Sequence, residues 1–172
     1  MIDFKIPISK NKKLVELVLT ITTLIISLIL IDFYFLPKNI FKDNISYYYE
    51  QSLKANTYST NRTVIAYKYV TELEHSFSTE KTFIDERQIE IESTLIFKNI
   101  TKVYTKNKDY TQNLSSGLNG ILIYLYFIFL LSSIISLTIL KFGTTISENA
   151  FYNIICFNSF ILFLCLGILY LY

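Results

Sequence analysis

Three long apolar runs interrupt an otherwise polar chain. The first covers residues 14–36 and carries no charge from Leu17 through Ile31. The second, 121–140, and the third, 151–172, are free of charge throughout. About 20 residues of helix rise about 30 Å, the thickness of a bilayer's hydrocarbon core. A helix also satisfies its own backbone polar groups, which lipid cannot. The pattern predicts three transmembrane helices, with the lipid bilayer as the first partner of the protein.

The polarity around these runs suggests a topology. Residues 1–13 hold Lys5, Lys10, Lys12 and Lys13 against Asp3, which favours a cytoplasmic tail. The first run is too long for a cleaved leader and lacks a small-x-small site, so it reads as an uncleaved signal anchor stopped by Pro37. The N-terminus is then inside, residues 37–120 outside, and 141–150 an inner turn. Lys38, Lys42, Lys54, Lys102, Lys106 and Lys108 flank the loop and oppose that orientation, although loops beyond about 60 residues escape the rule. In the inner turn Gly143, Thr144 and Thr145 supply the bend, and Ser147 before Glu148 reads as a helix N-cap with an acid in the first turn.

Between the first two runs the period changes twice. In 37–57, Ile40, Phe41, Ile45, Tyr48, Tyr49 and Leu53 recur at helical spacing, which predicts an amphipathic juxtamembrane helix. In 58–117 the period drops to two. Ile65, Tyr67, Tyr69, Thr71 and Leu73 alternate with their neighbours, as do Gln88, Glu90 and Glu92 with Ile89 and Ile91, a run extended through 95–97. Residues 100–105 read as a further strand, and His75 and Asn107-Lys108-Asp109 fall at turns. The expected fold is a membrane α-helical protein with a small antiparallel β-rich module of three to five strands inserted between the first and second helices.

Composition sharpens this picture. The 172 residues are 52% hydrophobic and 17% charged, with a mean hydropathy of +0.39, against about a quarter charged in a soluble domain. A net charge of +2 excludes an electrostatically driven nucleic-acid binder, so no nucleic acid is expected as partner. Two Cys and one His leave little for a disulfide framework or a zinc site. The 14 Tyr and 14 Phe accompany a Lys-, Ile- and Asn-rich composition typical of AT-rich codons, so they do not by themselves mark aromatic recognition platforms.

Each helix carries a stripe of small or polar residues that lets helices approach closely. Glu16, Thr20, Thr23 and Ser27 share a face of the first helix, Ser132 and Ser136 one of the second, and Cys156, Ser159 and Gly167 one of the third. These stripes are candidate helix-packing or oligomer faces. Asp32 is a candidate intramembrane acid: about 24 Å of helix separate it from Glu16, and an acid in lipid is costly. Its place near the boundary suggests an interfacial position, with ion passage as the alternative. Asn158 is suited to bonding another helix. Asp85, Glu86, Glu90 and Glu92 form an acidic cluster whose expected role is a solvated strand face. Sequons begin at Asn44, Asn61, Asn99 and Asn113, all in the loop. Nothing matches a nucleophile, phosphate or metal motif, so no catalytic residue and no cofactor are assigned.

Residues 63–114 contain VIAYKY at 64–69 as a first strand, EHSF at 74–77 as a hairpin, and KVYTKNKDY at 102–110 before the second helix. This stretch resembles a broad class of short bacterial membrane proteins of unknown function, with a β-rich extracytoplasmic module between transmembrane helices. The resemblance implies the bacterial inner membrane and carries no active-site residues. The functional expectation is a non-enzymatic accessory, assembly or sensing subunit that binds a protein partner through its module. A homo-oligomeric pore-forming effector or small channel, or an immunity-type protein against a membrane toxin, are the alternatives.

Overall fold

The computed structural model describes residues 8–54, 62–143 and 146–171. Helix α1 (Ile8–Tyr34) precedes five strands, β1 (Lys38–Lys54), β2 (Arg62–Thr71), β3 (Ser76–Glu80), β4 (Gln88–Thr94) and β5 (Ile100–Tyr104). Helices α2 (Leu122–Phe142) and α3 (Glu148–Leu171) follow. Three segments, Asn11–Tyr34, Leu122–Phe142 and Glu148–Tyr170, are long and apolar enough to cross a membrane. The chain forms two compact units. One, Met1–Leu30 with Tyr124–Gly167, is helical among its described residues; the other, Ile31–Ile123 with Ile168–Tyr172, holds the sheet.

In the helical unit the inward positions recur every three or four residues. Tyr126, Phe129, Ser133, Ser136 and Leu140 of α2 are buried, as are Phe151, Ile154, Asn158, Ile161 and Cys165 of α3. Leu24, Leu131 and Phe163 are among many large apolar side chains left exposed, a surface suited to lipid rather than water. Helix α3 starts as its sequence suggests: the Ala150 N–H donates to Ser147 Oγ at 3.2 Å and the Phe151 N–H to the Ser147 carbonyl at 3.0 Å. At Gly143 a Cβ would lie 2.5 Å from the Ile139 carbonyl oxygen, so only glycine ends α2 this way. Thr144 and Thr145, expected in the same turn, lie outside the described residues, as does Asn61.

The sheet is antiparallel throughout, in the order β3-β2-β1-β4-β5. Its centre is β1, whose first half pairs with β4 and whose second half pairs with β2. Of the amphipathic helix expected over 37–57, Lys38–Lys54 is therefore strand, and 55–57 lie outside the described residues. The spacing misleads because the register shifts between Ile45 and Tyr47, so that Ile45 opposes Thr71 while Tyr48 opposes Tyr69. One extra residue in a strand turns a two-residue period into a three-residue step, which imitates a helix. Residues 95–97 also depart from expectation. The ladder ends at Thr94, whose N–H bonds the Asn99 carbonyl at 2.8 Å, and Lys98 adopts φ 52°. These residues are a hairpin tip rather than a strand.

Residues after β5 link the two edges of the sheet. Asp109 bridges to Tyr104 beside β5, and Leu114 bridges to Thr79 of β3. The Ser115 N–H reaches the Ser78 carbonyl at 2.9 Å. Both outer strands thus have part of their free backbone occupied.

The core gathers Tyr69, Phe77, Ile89, Ile91, Val103 and Tyr110. Tyr69 is fully buried and stacks on Phe77, with ring centroids 5.2 Å apart. Its hydroxyl accepts the Ile84 N–H at 2.8 Å, and burial pushes its phenol above the ordinary tyrosine range. The hydroxyl thereby fixes the loop between β3 and β4 to the core. Tyr69→Phe should lower the stability of the full chain in detergent by about 1–3 kcal/mol, because the buried Ile84 N–H loses its acceptor. Chemical unfolding followed by circular dichroism measures this, and no change would show that the bond contributes nothing.

Candidate functional site

Three polar centres lie within the two units. The first joins α2 to α3. Asn158, 2% exposed, accepts from the Ser132 hydroxyl at 3.0 Å and the Ser133 hydroxyl at 3.3 Å. Its amide donates to Ser136 Oγ at 3.0 Å and to the Ile154 carbonyl at 2.8 Å. Donors and acceptor of one amide are thus all used, as an apolar surrounding demands. The sequence stripe of Ser132 and Ser136 meets Asn158; Ser133 belongs to the same cluster and is visible only once the helices are docked.

The other stripes have different surroundings. Thr20 and Thr23 bond carbonyls of their own helix, Glu16 at 2.7 Å and Leu19 at 2.6 Å, while Ser27 is half-buried. Cys156, Ser159 and Gly167 lie on the exposed side of α3, where nothing comes within 4 Å of a Cβ placed at Gly167. They take no part in the Asn158 cluster. Both cysteines are free thiols, Cys165 buried and Cys156 exposed. Asn158→Ala should destabilise the full chain by about 1 kcal/mol while leaving the sheet's unfolding unchanged. Thermal unfolding in detergent, with helix and sheet followed separately, checks both statements.

The second centre is Asp32, in the last turns of α1 and 0% exposed. Its carboxylate accepts two consecutive main-chain donors, the Ile96 N–H at 3.1 Å and the Phe97 N–H at 2.9 Å. Consecutive amides converging on one anion form a small nest. Lys38 does not neutralise the carboxylate directly. Its ammonium donates to the main-chain carbonyls of Asp32 and Phe33, both at 2.6 Å, and so closes the C-terminus of α1. The acid therefore ties the β4–β5 hairpin to the helix end. Asp32→Ala should speed amide exchange at Ile96 and Phe97 by about tenfold or more, the loss of two charge-assisted bonds. Unchanged exchange at those two amides would mean the carboxylate does not hold the tip.

The third centre is a cleft of about 650 Å³ on the module, lined in part by Lys42, Asp43, Glu86, Glu90, Tyr104 and Lys106. Strand pairing builds it. Lys42 lies opposite Glu90, and Glu90 opposite Tyr104, so one row across three strands carries both charge signs on the polar face. Asp43, paired with Ile89, is only 7% exposed. Its Oδ1 accepts the Asn44 N–H at 2.8 Å, and its Oδ2 meets no donor among the described residues.

The acidic cluster of the sequence is divided among separate partners. Glu92 is not a free solvated acid. It binds the Lys102 ammonium at 3.0 Å and the Thr101 hydroxyl at 2.9 Å. That hydrogen bond and its charge hold Lys102 above the ordinary lysine range. Glu86 accepts from the Asn107 amide at 3.2 Å. His75 packs against Phe41, ring to ring at 4.7 Å. Two sequon side chains are engaged: Asn44 donates to Glu72 at 3.0 Å and Asn113 to Thr82 at 2.9 Å. No protein family, curated protein or solved structure matches this chain.

Proposed function

We propose that this protein is a non-enzymatic accessory, assembly or sensing subunit of a membrane, acting through its β module. The observation that carries this reading is the cleft over β1, β4 and β5, whose polar face sets Lys42 and Lys106 beside Glu90. Such a surface suits an extended polar segment of a partner protein, whose amide or ammonium donors meet Glu90 and whose acceptors meet the lysines. The sheet edges are poorer docking places, since residues 109–115 occupy part of both. We infer the bacterial cytoplasmic membrane from the resemblance of residues 63–114, and an N-terminus inside with residues 37–120 outside from the basic tail.

A second reading is a homo-oligomer that forms a pore. The exposed small-residue face of α3, with Cys156, Ser159 and Gly167, favours it. Pull-down of the tagged protein from native membranes in mild detergent separates the two. A stoichiometric partner is expected, retained by the wild type and lost about tenfold or more in Glu90→Lys, a reversal in the cleft that leaves the core intact. A homo-oligomer without partner that conducts ions in a planar bilayer would overturn the accessory reading.

A further inference from the structure

The tip of the β4–β5 hairpin presents three consecutive large apolar side chains to the outside. Leu95 is 45% exposed, Ile96 52% and Phe97 41%. Apolar residues at a water-facing hairpin tip expose surface with no compensation, and polar turn residues are the usual choice there. This tip is held at a definite place. The amides of Ile96 and Phe97 bond the Asp32 carboxylate, and Asp32 lies within the apolar span Asn11–Tyr34, two residues from its end. That span has 24 residues, whereas the hydrocarbon core takes about 20. Centred in the bilayer, it puts Asp32 at the boundary between acyl chains and headgroups. A hydrogen bond cannot span more than about 3 Å, so the tip backbone is at the same depth.

We propose that Leu95, Ile96 and Phe97 insert into the membrane as a second, non-helical anchor of the β module. The occupant of this apolar patch is the outer acyl layer of the bilayer itself. The neighbouring chain has the matching chemistry. Phe35, just past α1, is 82% exposed, and the adjoining Lys98 is exposed, placing an ammonium at the level of lipid phosphates. The Asp32 nest gives the inserted turn its two satisfied amides, without which main chain at that depth would be costly. The proposal rests on α1 crossing the bilayer and does not depend on the partner-binding reading of the cleft.

The chain has no Trp, so a single introduced tryptophan reports alone. The full protein is reconstituted in phosphatidylcholine vesicles containing lipids brominated either high on the acyl chain or near its end. Phe97→Trp should be quenched several-fold more strongly by the shallow bromines than by the deep ones. Tyr49→Trp, elsewhere on the module, should be quenched by neither, and Phe160→Trp, midway along α3, by the deep ones. Adding Asp32→Ala to Phe97→Trp should reduce the shallow quenching. If Phe160→Trp is quenched and Phe97→Trp is not, the helices are in lipid and the tip is not, which overturns the anchor while leaving the membrane assignment standing. If Phe160→Trp is not quenched either, the spanning premise falls and the anchor with it.

Discussion

A carboxylate removed from water needs donors, and Asp32 takes them from main chain that lies 64 and 65 residues further along the sequence. Much of the module follows from that requirement. The acid sits near the end of α1, Lys38 closes the helix carbonyls beside it, and β1 departs at once to pair with β4. The β4–β5 turn is thereby brought back to the helix end at which β1 begins. A module with a thin core gains from being tied in this way at a fixed point of the chain.

The same requirement of polar satisfaction operates elsewhere at smaller scale. Asn158 is buried among apolar side chains and is saturated by three serine hydroxyls and a helix carbonyl. Tyr69 carries its hydroxyl into the β core and meets the Ile84 N–H there. In each case one polar group inside an apolar region selects a single arrangement of its neighbours, because an unpaired alternative would cost more than the bond itself contributes. Asp43 is the contrast. One of its oxygens is buried on the core side of β1 and meets no donor among the described residues.

The helical spans, the Ser147 cap and the β character of residues 62–71 and 88–94 were legible from hydropathy, capping chemistry and alternation. Those signals are local: each depends on residues within a few positions of one another. The helix expected over 37–57 failed for an equally local reason, a bulge that changed the step between inward residues from two to three. Of the candidate residues, Ser132, Ser136 and Asp32 proved to bond partners distant in sequence, while Cys156, Ser159 and Gly167 face outward. Helical periodicity tells which residues share a face, but not which face meets another helix.

The sequence by itself therefore determined the class: three helices long and apolar enough to cross a membrane, and one polar insert whose alternation demands a sheet. It did so because hydrophobicity and backbone hydrogen bonding act along the chain. Tertiary structure alone decided the strand order with β1 at its centre, the curl that brings residues 109–115 across both edges, and the donors of Asp32. It also decided that Leu95, Ile96 and Phe97 form a tip rather than a strand. These depend on where chain segments far apart in sequence meet, and a buried charge finds its partners only when the backbone has folded back to supply them.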